Sequence, residues 1–424
     1  MLNMKLIVIG LLLLATISTV FADTTLEQIY STLDIVPDDA FTNNARPLLK
    51  TYNKQRGHKS LAFALTNDGG FAVGMGYKAP SELAASMTAR LKCEDWLRES
   101  EMTGICEILL VRDQIVMPGA RMRTGIDANT PSMAWRVDGP NSTLYLIGTL
   151  HMLKPTLLPL PDVFDQFFVA ADQLALEVNP LLITDPERLA KIRALVTSDP
   201  KVLKGQFDKA SRKVVRSYVK SQGIKEAVAY EANPVATALQ VTKLKAAALG
   251  YSTETGVEMH YTRQASTAGK AIIELEDAVE VMAMMFDYPV SLQIKMLTET
   301  IKHLGQSPRA LEGLIDDWLR GDSTALYAQT AEDMLLHPDL ASFKTRLLDD
   351  RNEQWMVKID ELLQQDKHTA VMVGAAHMGG KQGLLALLKA RGLEPVQYSW
   401  GGTPLSEKTA LTELTAQGMP SLAP

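Results

Sequence analysis

Between residue 133 and about residue 400, short apolar runs alternate with long amphipathic stretches. The runs at 144–148, 173–178, 271–275, 369–374 and 395–400 have the length and composition of strands. Between them apolar residues recur at spacings of three and four. This predicts helices near 184–198, 208–222, 233–249, 256–268, 278–287, 290–304, 308–320, 323–334, 339–348, 350–365 and 380–391. The expected class is α/β, or mixed α+β, with helices outweighing strands. Residues 23–130 form a smaller α+β unit ahead of it. There, 61–65 and 71–77 alternate with period two around Asn67-Asp68-Gly69-Gly70, a hairpin signal. Residues 80–100 read as a helix with Leu83, Met87 and Leu91 on one face, 106–111 as a further strand, and 127–131 as a linker. The domain from 131 to 400 ends at Gly401-Gly402. The tail 401–424 has little apolar periodicity and is expected to be loosely attached.

Residues 1–22 stand apart. Lys5 precedes an almost unbroken apolar run over 6–17, and Val20-Phe21-Ala22 before Asp23 has the form of a signal-peptidase site. The run is short for a membrane span, which needs about 20 apolar residues. An exported chain, periplasmic or secreted and without a membrane span after cleavage, is expected; an uncleaved anchor is the alternative.

The chain of 424 residues is 46% hydrophobic and 22% charged, an ordinary globular composition, and its net charge of −6 gives no global footprint for nucleic acid. Two cysteines are too few for a four-thiolate zinc site. In an oxidising compartment Cys93 and Cys106 are expected to pair, closing a loop of about 13 residues worth roughly 3 kcal/mol; two buried thiols are the alternative. The small unit's one histidine, His58, sits among Arg56, Gly57 and Lys59, which predicts a solvated loop.

Four strands end alike. One runs into Gly148-Thr149-Leu150-His151 and another into Gly374-Ala375-Ala376-His377, while two more end at Glu177 and Glu276. Polar groups past the C-terminal ends of strands face a shared crevice, and a glycine before each histidine lets the backbone turn sharply. Two imidazoles and a carboxylate suit a divalent metal with open positions for water and substrate. Taken singly, each histidine also fits a satisfied polar residue, and each glutamate a helix cap or an arginine partner.

These residues, together with Leu176, Gly256-Val257-Glu258, Leu275, Arg351-Asn352, Trp355 and Met378-Gly379-Gly380 with Gly383-Leu384, resemble the TraB/GumN family, which is grouped with the TIKI-type metallohydrolases. The resemblance spans about 133–400 and leaves 23–130 outside. It implies a core of two small β-sheets flanked by helices, with each half giving one Gly-x-x-His. It also implies a metal-dependent peptidase using manganese, cobalt or zinc on a peptide or protein substrate. Relatives that are esterase-like or bind haem leave open a non-catalytic metal- or haem-binding protein. The family's metal positions map to His151, Glu177 and His377, its arginine to Arg351 and its second acidic position to Glu258.

Residue chemistry then assigns roles. Glu177 is a third ligand or the base that deprotonates a bound water. Arg351 stabilises an oxyanion, clamps a substrate carboxylate, or simply ion-pairs two helices together. Glu258 is preferred to His260, because residues two apart on a helix face different ways. Glu276, with Gly148, Thr149 and Gly374, is placed behind the ligands, orienting a histidine. The stripe Lys209, Arg212, Lys213, Arg216 and Lys220 reads as a solvated face, and 281–286 as core packing or a soft cleft lining. His303, His337 and His368 are assigned no role. The oligomeric state is not readable, and a partner-binding role for 23–130 is a third possibility.

Overall fold

The computed structural model describes residues 24–405, except 38, 67–69, 184 and 336–337. The expected signal at 1–22, most of the hairpin turn at 67–70, His337, and the tail beyond 405 therefore lie outside the described residues. Residues 401–405 are bound, with Leu405 N–H donating to Gln397 O at 2.8 Å.

The small unit begins with helices α1 (Leu26–Leu33) and α2 (Asp39–Asn53). Strands β1 (His58–Leu65), β2 (Phe71–Ala79), β3 (Glu107–Val111) and β4 (Gln114–Ile115) form an antiparallel sheet of order β2-β1-β3-β4. Period two sorts its faces. Leu61, Phe63 and Val73 pack with Ile29 and Leu49 of α1 and α2, while Ala62, Ala64 and Ala72 meet Ala89, Cys93 and Leu97 of α3 (Glu82–Glu99). The α3 face of the sheet is made of small residues because the helix lies close. A Cβ on Gly74 would come 1.9 Å from Ala89 O, and one on Gly76 2.0 Å from Ala85 O. The helix is where periodicity placed it, but the row it was read from points outward: Met87 and Leu91 are each 55% exposed. Cys93 and Cys106 form the expected disulfide, 13 residues apart.

The larger unit is built on a six-stranded sheet of order β10-β5-β6-β9-β7-β8, comprising β5 (Pro131–Asp138), β6 (Thr143–Thr149), β7 (Gln173–Leu176), β8 (Ala271–Glu274), β9 (Thr369–Gly374) and β10 (Val396–Ser399). Strands β6, β9, β7 and β8 are parallel neighbours, and β5 and β10 extend the sheet antiparallel. The chain thus has two sheets flanked by helices, as expected, but one belongs to the small unit, and both Gly-x-x-His strands lie side by side in the other. Several elements have no counterpart in the sequence pattern, among them α1, α2 and helix Pro200–Gln206. Strand β5 hides behind the apparent linker, although 133–137 is an apolar run broken only by Arg136 and a turn at 139–142 follows. Helix Asp162–Ala170 buries Val163, Phe164, Phe167 and Phe168, an apolar stripe too short to stand out.

One hydrophobic core runs through both units, joining Cys93, Cys106 and Ile108 to Leu146, Phe164 and Val371. Half-buried polar contacts cross the seam: Lys245 pairs with Glu82 at 2.8 Å, and Met117 N–H donates to Glu312 Oε1 at 2.8 Å. His58 lies there too. It opens β1, is 8% exposed, and its Nε2 meets Ser221 O, so the expected solvated loop is not found.

Candidate active site

The parallel pairing of β6, β9, β7 and β8 brings their C-terminal ends to one sheet edge. His151 follows β6, Glu177 follows β7, Glu276 comes two residues after β8, and His377 closes a short turn after β9. Helices Val257–Ala268 and Asp350–Gln364 add Glu258 and Arg351. All six predicted polar residues meet in one cluster, and it has two halves.

The first half is closed. Arg351 is 6% exposed and all five of its N–H bonds are used. Its Nε donates to Glu276 Oε2 at 2.9 Å, and its Nη2 donates to Glu177 Oε2 at 2.6 Å and to Glu276 Oε1. Its Nη1 donates to Leu347 O at 3.1 Å and to His377 Nε2 at 3.3 Å. Glu177 is equally occupied, since its Oε1 accepts the Gly374 N–H at 2.6 Å. Burial pushes the Glu177 carboxyl upward, but the Arg351 guanidinium, the strongest opposing influence, holds it down at about 2. His377 is fully buried, and burial together with the guanidinium pushes it down to about 3, so it is neutral. Its tautomer follows from Asn352, whose amide donates to Gln382 O at 2.7 Å and so turns Oδ1 toward His377 Nδ1 at 2.6 Å.

The second half is open. His151 Nδ1 lies 2.8 Å from Glu258 Oε1, and the Thr149 hydroxyl donates to the same oxygen. The His151 side chain is 46% exposed, while that of Glu258 is only 12% exposed, with Oε2 buried and without a partner. Glu258 raises the His151 pKa to about 9. Gly256 makes the contact possible, because a Cβ there would stand 2.3 Å from His151 O, just where Val257 N–H bonds Leu150 O.

Two assignments change. Glu276 orients no histidine; it accepts from Arg351 and from Trp355 Nε1 at 3.1 Å. Arg351 has no donor left for an oxyanion and is the centre of a positioning network. His260 lies elsewhere, against Gln264 at 2.7 Å and the Tyr261 ring. Asn352 and Trp355, which the sequence marks only through the family resemblance, gain roles here: Asn352 fixes the His377 tautomer and Trp355 donates to Glu276.

A match to the TraB/PrgY/gumN family model runs over residues 133–397, more than half of the chain. The chain belongs to this family. It is also similar to the uncharacterized protein YbaP of Escherichia coli (strain K12) and to YbaP of Shigella flexneri. Each is 25% identical over 259 residues, covering 59% of this chain and 89% of the relative. No solved structure matches. All six clustered residues fall within the TraB/PrgY/gumN match, and the α1–α3 unit falls outside it.

A divalent ion does not fit this family site as it is arranged. The donor types are suitable, but each Glu177 oxygen already accepts a hydrogen bond and His377 Nε2 faces a permanent cation. Among the described residues no three His, Cys, Asp or Glu side chains form a group that could hold a metal ion. Nor, among them, is any helix long and apolar enough to cross a membrane.

Proposed function

We propose that this chain is an exported hydrolase of acyl bonds, peptide or ester, in which His151 and Glu258 move the protons. The contrast between the halves carries the reading. The Arg351 network has every donor taken, whereas His151 Nε2 has no hydrogen-bond partner among the described residues and Glu258 Oε2 is an unfilled buried acceptor. A half-exposed imidazolium beside a buried carboxylate supplies an acid and a base within one contact. Glu258 Oε2 takes a proton from water as its oxygen bonds the carbonyl carbon. His151 Nε2 gives its proton to the departing nitrogen or oxygen as that bond breaks. Glu258 then loses its proton to solvent and His151 Nε2, on a half-exposed side chain, takes one up from solvent, restoring both groups. Arg351 acts from beneath, holding Glu177, Glu276 and His377 in place. The Cys93–Cys106 disulfide and the pattern of residues 1–22 support export.

A second reading keeps the implied manganese, cobalt or zinc. Both histidines are anchored through Nδ1, by Glu258 and Asn352, an arrangement common to metal-ligating imidazoles. It requires Arg351 to release His377 Nε2.

Residues 23–424, freed of metal with chelator, would be assayed on fluorogenic peptides and esters beside His151→Gln and Glu258→Gln. Chelator-resistant turnover that falls by about 10²–10⁴ in the variants supports the first reading. Turnover appearing only with an added ion moves the assignment to the second. Ion or haem binding without turnover would identify a non-catalytic binding protein.

A further inference from the structure

The candidate site does not account for the small unit, which carries a run of basic residues uninterrupted by acidic ones. Between Asp39 and Asp68 the sequence holds no Asp or Glu but five Lys or Arg, within a chain of net charge −6. Lys59 is buried and paired with Asp113 at 2.8 Å. The other four, Arg46, Lys50, Lys54 and Arg56, gather at one open pocket of about 480 Å³, whose remaining lining is Leu26, Leu49 and Asn53. Residues 46, 50 and 54 are spaced by four, which sets them along one face of α2 and its end, and Arg56 follows just beyond.

Many of the chain's other surface cations are neutralised by a neighbouring carboxylate. Arg90, Arg98, Arg136, Lys191 and Arg263 each pair with a carboxylate at 3.3 Å or closer. Among the described residues, none of the four pocket cations has an ion pair or side-chain hydrogen bond. Arg46 lies in electrostatic range of the exposed Glu27. The α2 C-terminus contributes about half a negative charge, far short of four positive ones. A concave surface with several unneutralised cations concentrates anions by focusing the field. The pocket has the volume of a small-molecule site. The apolar cavity that shares Leu26 and Leu49 with it is only about 30 Å³, room for one water or methyl group, so no long chain can be buried behind the charges.

We propose that this pocket binds a ligand carrying two or more phosphate-type negative charges, held by Arg46, Lys50, Lys54 and Arg56. Arginine forks take anionic oxygens in pairs, and the lysines add point charges. The same chemistry is offered by a free phosphorylated molecule or by an anionic lipid headgroup at a membrane surface.

The test uses residues 23–424. Inorganic pyrophosphate is titrated by calorimetry, and cosedimentation is measured with vesicles of equal phosphatidylglycerol and phosphatidylcholine against pure phosphatidylcholine. Lys50→Glu with Lys54→Glu is compared with Lys209→Glu plus Lys213→Glu on the exposed basic helix Lys209–Ser221. Pyrophosphate binding that weakens about tenfold or more in the first variant alone, and fades with added salt, supports a free ligand. Vesicle binding with the same dependence, and no pyrophosphate binding, supports the headgroup source. Binding of neither probe, or equal loss in the control pair, overturns the proposal.

Discussion

Arg351 is predicted to be the residue on which the closed half of the site depends. Replacing it by Met keeps much of the volume and removes all five donors. Glu177 and Glu276, whose side chains are 11% and 10% exposed, would then be left without a counter-charge. Removing one partner of a buried ion pair costs about 3–5 kcal/mol, because the stranded charge stays desolvated. Two carboxylates are stranded here, but each can take up a proton, so the expected loss remains about 3–5 kcal/mol. Urea unfolding followed by tryptophan fluorescence reads it directly, since Trp355 packs 4.8 Å from the guanidinium. Adding Glu177→Gln and Glu276→Gln to Arg351→Met removes the stranded charges and should recover about 2 kcal/mol or more. Arg351→Lys should fall between wild type and Met, since an ammonium cannot reproduce the fork. A loss below about 1 kcal/mol for Arg351→Met, with no recovery in the triple variant, would refute the closed network.

Other perturbations test other parts. Gly76→Ala would drive a Cβ to 2.0 Å from the Ala85 carbonyl oxygen, so α3 must lift from its sheet; a loss of about 3 kcal/mol or more is expected in thermal unfolding, and a neutral result would contradict the packing. Cys93→Ser with Cys106→Ser should cost about 3 kcal/mol for a loop of 13 residues, read as a lowered urea midpoint. Because the folded pKa of His151 is raised to about 9, its pairing with Glu258 stabilises the fold fully below the unfolded value near 6.5 and ceases to do so as pH rises through 9. Wild type should therefore lose more stability than Glu258→Gln between pH 6 and pH 10. A chain starting at residue 131 should be insoluble, since the core joins Cys93 and Ile108 to Leu146 and Val371; a soluble, cooperatively folding fragment would contradict that continuity.

The sequence was most legible where one rule acted alone. Strand β9 was placed at its observed ends because an apolar run stops at a glycine. The pattern predicts a helix near 208–222, where basic and apolar positions recur at helical spacing, and the helix runs from Lys209 to Ser221. Legibility failed where packing overrode pattern. In α3 the residues against the sheet are Ala85, Ala89 and Cys93, whose small size answers the glycines of β2, so periodicity selected the outward row instead. His58 sits in a polar stretch, yet the seam between the units buries it. In the site, strand-end position was enough to gather His151, Glu177, Glu276 and His377. Their division into a closed and an open half was not readable, because it depends on where one guanidinium lies. Glu258 replaces Glu177 beside His151 because Gly256 admits a close approach between a loop and a helix start, and spacing along the chain does not encode such an approach.

The most direct test of the account is the hydrolysis of fluorogenic peptides and esters by the chelator-treated protein, run beside His151→Gln. The account predicts turnover that survives chelation and falls by about 10²–10⁴ in the variant, with metal content low in both. Turnover that the variant retains, or that appears only when manganese, cobalt or zinc is restored, would contradict it.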